Sequence, residues 1–136
     1  MADAKGPAAR PLSPHLTIYR PMLTMMMSIA HRITGAALYV GSILLAWWLL
    51  AAASGPNAYA TFQSAASSSI GRIVLFGYTW ALVHHMLGGL RHLIWDTGHG
   101  FGAAEREWLA RANLAGSVAL TIILWIVGGY LMGGLR

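Results

Sequence analysis

The sequence has no cysteine, and only four of its 136 residues are acidic: Asp3, Asp96, Glu105 and Glu107. The first absence excludes disulfides, thiolate metal sites and cysteine nucleophiles, and leaves the six histidines as candidate metal ligands. Charge of either sign is scarce, at 10% of residues against 57% apolar, a balance foreign to soluble globules. The chain therefore reads as a membrane protein. Its net charge of +5 does not point to nucleic acid, because the basic residues are scattered singly and form no stripe with interleaved aromatics. The opening residues lack both the apolar core of a signal peptide and the Arg/Ser-rich amphipathic character of a transit peptide. A bacterial protein used as synthesised is the simpler expectation. Proline is nearly confined to "MADAKGPAARPLSPHLTIYRP", which holds four of the five, so this stretch is not expected to be helical.

Charge is also absent from three long runs, between Arg32 and Arg72, between Arg72 and Arg91, and between Arg111 and Arg136. A helix needs about 20 apolar residues to cross the hydrocarbon core. The expected fold is all-α, with transmembrane helices over about residues 29–53, 70–92 and 113–132. Residues 1–28 then form an N-terminal segment and 29–136 the transmembrane domain. The first run is too long for one span, and Ser54-Gly55-Pro56-Asn57 breaks it with turn residues. "AYATFQSAASSS" follows as a polar connection. Lys5, Arg10, Arg20, Arg32, Arg91, Arg106 and Arg111 fall on one side of this topology, and only Arg72 and Arg136 on the other. The positive-inside rule puts the N-terminus in the cytoplasm and the C-terminus outside. Trp47, Trp48, Trp95 and Trp108 suit interfacial anchoring, whereas Trp125 is explained only by packing.

One thirteen-residue stretch breaks the avoidance of ionisable groups. In "HHMLGGLRHLIWD", residues 84–96, helical periodicity puts Gly89, His92 and Asp96 within about 40° of His85, with Gly88 at the edge of that stripe. His84 lies about 100° away and shares a second stripe with Arg91 and Trp95. The two neighbouring histidines therefore cannot do the same job. A flat macrocycle bound through its iron needs an imidazole at its centre and little bulk where its face nears the helix, clearance that Gly88 and Gly89 supply one turn from His85. His85 is thus the preferred haem ligand. The plainer alternatives are histidines hydrogen-bonded at the headgroup level and glycines that let membrane helices pack closely. One imidazole does not complete a low-spin site, so a partner chain is expected to bring a second ligand and the other wall of the pocket.

"SIAHRITG", residues 28–35, is the second polar concentration, with Ser28 and Arg32 one turn apart and His31 beside them. Its place at the cytoplasmic end of the first span matches the depth of the histidine stretch in the second. Arg32 there suits a haem propionate or a quinone carbonyl. Alternatively it snorkels to phospholipid while Ser28 caps the helix. Asp96 suits proton relay from the cytoplasm to a quinone, or equally a contact with Arg91 or a turn cap. "MLTMMMS" borders a quinone channel or merely packs, and "GGYLMGG" reports helix packing.

These residues resemble the cytochrome b membrane subunit of succinate dehydrogenase, respiratory Complex II. One signature reads "RPLSPHLTIY" from Arg10 and then "SIAHRITG" from Ser28; the other reads "HMLGGLRHLIWDTG" from His85 to Gly98. The first also resembles the mitochondrial branch and so an alphaproteobacterial-type enzyme. The resemblance implies a three-helix subunit that forms half of a heterodimeric membrane-anchor bundle. That bundle shares one haem b with a second small membrane subunit and anchors the flavoprotein and iron-sulfur subunits on the cytoplasmic face of the bacterial inner membrane. It further implies that His85 is the axial haem ligand and metal-binding residue, the partner subunit supplying the other histidine. Ser28 and Arg32 map to the ubiquinone site, His31 and Arg32 to the haem propionates, and Asp96 to the acidic residue at the cytoplasmic end of the second span. His84 doubles the histidine, and the stripe geometry and the spacing to His92 favour His85.

The function expected is that of an electron-transfer subunit without a catalytic centre of its own, since no flavin or dicarboxylate motif is present. A rival from another class is a small proton or solute transporter using Arg32, His85 and Asp96 as a relay.

Overall fold

The computed structural model describes His15 and residues 19–133, apart from the side chain of Met132. Four helices follow in order: α1 (Leu23–Ser54), α2 (Pro56–Ser67), α3 (Ser69–Asp96) and α4 (Ala103–Gly133). Three of them, α1, α3 and α4, are long and apolar enough to cross a membrane. All three run past the hydrocarbon spans expected from charge alone. A helix continues into the headgroup region as long as its backbone hydrogen bonds stay paired, so apolar runs mark the crossing and not the helix ends. The N-terminal residues 1–14 and 16–18, with most of the "RPLSPHLTIY" signature, lie outside the described residues.

The polar connection is itself largely helical. Gly55 adopts φ 106°, in the left-handed region, and ends α1. Pro56 then opens α2 at a first-turn position that needs no N–H. The alanines of "NAYATFQSAAS" carry the helix on, and Phe62 packs edge-on against Trp47 of α1, ring centres 5.0 Å apart. Ser68 caps α3 by accepting from the Gly71 N–H at 3.0 Å. At the other end, Glu105 reaches back to accept from the Gly102 N–H at 3.1 Å, which starts α4.

Both α1 and α4 pack chiefly on α3. The interior is built largely from small and polar side chains, Ala51, Ala81 and Ala110 with Thr34, His84, Arg91, Asn113, Ser117 and Thr121, joined by Met27 and Val83. Large apolar residues such as Tyr39, Ile43, Ile70 and Ile73 face outward. This reversal of a soluble core suits helices whose apolar exterior meets lipid and whose contacts come from close approach and hydrogen bonds. Gly41 is one such approach, since a Cβ there would run into the Tyr78 ring. Trp125 acquires a role as well: its indole N–H donates to Thr79 Oγ1 at 3.2 Å across α3 and α4, and its ring meets Phe76 edge-on at 5.3 Å.

Candidate functional site

The N-terminal part of α1 and the C-terminal part of α3 meet through histidines. The rings of His31 and His85 stack nearly parallel, 3.9 Å between centres and 5° between planes. His92 completes the group, 5.5 Å from His31. This contact forms because neither helix carries a side chain in the way. A Cβ on Gly88 would strike the His31 ring, and one on Gly35 would come within 2.9 Å of His85 Cε1. Gly88 therefore makes room for the His31 ring of the neighbouring helix, which fits the close-packing alternative that the sequence offered. Gly89 is different, with no described atom within 4 Å of a Cβ built there.

The environment of His85 selects its tautomer. Nδ1 lies 3.0 Å from the carbonyl oxygen of His31, and a carbonyl only accepts, so this bond requires the proton on Nδ1. Thr34 Oγ1, at 3.4 Å, adds a second acceptor. Its own proton goes to the carbonyls of Ala30 and His31 at 2.9 and 3.0 Å. Nε2 is left with its lone pair and no hydrogen-bond partner among the described residues. An imidazole held by Nδ1–H on a backbone carbonyl, with a bare Nε2, is the usual form of a metal-ligating histidine.

His84 is arranged for something else. It is fully buried, facing α4, and its Nδ1 lies 3.1 Å from Ser117 Oγ. Ser117 Oγ donates to the Leu114 carbonyl at 2.9 Å and so accepts from His84. The Trp80 ring covers the imidazole at 5.0 Å. No macrocycle can reach a ring with no exposed surface without parting α3 from α4.

The remaining sequence candidates are solvent- or lipid-facing. Ser28, Arg32 and Asp96 are exposed, and their side chains make no hydrogen bond or ion pair among the described residues. Ser28 does not cap α1, which begins at Leu23, and Asp96, the last residue of α3, does not pair with Arg91. Arg91 instead lies over the Trp95 ring, 5.0 Å from its centre. The plainer readings of Ser28 and Asp96 thus lose their structural basis. Thr34 and Gly35 were overlooked in the sequence, although "HRITG" places both within one turn of His31. No group of three or more histidine, aspartate or glutamate side chains among the described residues is arranged to hold a metal ion.

Comparison with known proteins decides the family. Residues 7–128 match the model of the succinate dehydrogenase/fumarate reductase transmembrane subunit. The chain belongs to this family. It is 46% identical over 127 residues to the succinate dehydrogenase cytochrome b556 subunit of Paracoccus denitrificans, covering 93% of this chain and 97% of that one. The cytochrome b556 subunit of Rickettsia conorii is 38% identical over 117 residues, covering 86% and 91%. The mitochondrial cytochrome b560 subunit of Sus scrofa is 43% identical over 95 residues, covering 67% of this chain and 55% of its own length.

Proposed function

We propose that the chain is the haem b membrane-anchor subunit of a succinate:ubiquinone oxidoreductase, with no catalytic centre for succinate of its own. The observation that carries this is the state of His85, tied through Nδ1 to the α1 backbone and bare at Nε2. A second small membrane subunit supplies the other axial histidine and the facing wall, and the flavoprotein and iron-sulfur subunits dock on the cytoplasmic side. Residues 1–28 lie on that side of the bacterial inner membrane, and the C-terminus is periplasmic.

Haem b, when bound, supplies a one-electron store beside the quinone site and ties the two membrane subunits together. The chain's own residues do the rest. The His31 carbonyl fixes the orientation and the tautomer of the His85 ring. The His31 ring and the Arg32 guanidinium offer donors to the propionates. Ser28 and Arg32 bind a ubiquinone carbonyl, which becomes a hydroxyl as the quinone takes up two electrons and two protons. Asp96, exposed at the end of α3, relays protons from the cytoplasm.

Purification through a tag on this chain tests the proposal. It should bring down both soluble subunits and give b-type bands in a dithionite-reduced minus oxidised spectrum. A chain that purifies alone, without those bands, contradicts it. Arg32→Leu in the same complex should lower succinate-driven ubiquinone reduction while leaving succinate oxidation by a water-soluble dye intact.

A further inference from the structure

A second polar site lies on the other side of α3, away from the paired rings of His31 and His85. Arg91 is only 4% exposed and Asn113, facing it from α4, only 5%. The Arg91 Nε and both amide atoms of Asn113 are buried without a hydrogen-bond partner. No carboxylate among the described residues pairs with Arg91. Stacking on Trp95 engages the face of the guanidinium and leaves its in-plane donors unused. Leaving such groups unpaired is costly, and more so for a charge, so this arrangement calls for an acceptor.

The two side chains line one cavity of about 150 Å³, whose other walls are Leu87, Leu90, Ile94 and Leu109 with Ala112. A larger open groove of about 470 Å³ shares Ile94 and Leu109 and continues past Gly100 and Glu105 to the exposed Trp108. Glu105 lines that groove but is not a counter-ion to Arg91: its carboxylate caps α4 and forms no ion pair with the guanidinium. Depth narrows the choice of ligand. From Arg72 to Arg91 α3 carries no charge, a rise of about 28 Å that matches the hydrocarbon thickness. Arg91 therefore sits where phosphate groups of one leaflet lie. A ligand with an anionic oxygen head at that depth and apolar chains along leucine and isoleucine walls is an amphiphile.

We infer that the α3–α4 cleft binds one phospholipid, its headgroup phosphate held by the fork of Arg91 and the amide of Asn113. A guanidinium meets two phosphate oxygens with parallel N–H bonds, and the Asn113 Nδ2 donates a third. The lipid fills the cleft and removes the desolvation penalty of a lone buried cation. Neither haem nor quinone takes part.

Counting tightly bound phospholipid in the detergent-washed, intact complex by extraction and phosphorus assay is the test. Wild type should retain one phospholipid more than Arg91→Gln or Asn113→Leu, and Arg91→Lys should fall between. Loss of the charge-assisted bonds should weaken rebinding of phosphatidylglycerol by about ten-fold or more. Equal retention in wild type and both variants overturns the inference. So does displacement of the lipid by inorganic phosphate alone, which would make this a site for a free anion. Should Arg91→Gln fail to assemble, the delipidated wild-type complex decides. Phosphatidylglycerol must raise its Tm and inorganic phosphate must not. Unchanged haem bands in Asn113→Leu keep this outcome separate from that of the haem proposal.

Discussion

His84 and His85 are neighbours in sequence and opposites in structure. One points into the α3–α4 interior, sealed under Trp80 and bonded to a serine hydroxyl. The other points toward α1, half-buried, bonded to a carbonyl that can only accept. A single step of about 100° along a helix thus separates a histidine sealed between two helices from one whose ring keeps exposed surface. Both keep an Nε2 without a hydrogen-bond partner among the described residues, so access to that nitrogen, and not the residue type, sets their chemistry apart.

The largest test of this contrast is replacement of each ring in turn. His85→Ala should abolish haem in the purified complex, measured as pyridine haemochrome per complex. His84→Ala should retain it and lose thermal stability instead. Gly88→Val comes next: its side chain would displace the His31 ring, and overpacking of this kind costs about 1–3 kcal/mol. Thermal unfolding in detergent measures that loss. Ser117→Ala should cost about 1–2 kcal/mol by leaving His84 Nδ1 unpaired in the interior, with haem content unchanged. The smallest effect belongs to Gly89→Ala, within about 0.5 kcal/mol, because nothing described lies within 4 Å of the added methyl. A large loss at Gly89 with none at Gly88 would reverse the assignment of the crowded and the open glycine.

Much of this was legible beforehand. Charge-free runs marked three crossings because ionisable side chains are costly inside a bilayer, and helical periodicity separated the two histidines. The α2 helix was hidden by its polarity, since serines and a glutamine look like loop while alanines sustain a helix. Gly88 was read either as clearance for a flat ring or as a site of close helix packing, and the sequence alone does not reveal that the side chain nearest to it is His31 of α1. That Arg91 and Asn113 line one cavity, like the bond of Trp125 to Thr79, depends on how α3 and α4 face each other. Neither helix carries a strong amphipathic pattern to announce it, because lipid and interior are both largely apolar.

The central claim is that the Nε2 of His85 is the iron ligand contributed by this chain. Its most direct test is the reduced minus oxidised spectrum of the His85→Gly complex with and without added imidazole. Loss of the b-type bands, and their return when free imidazole occupies the space left by the ring, is the predicted result. Bands that persist in His85→Gly with no imidazole present would contradict it.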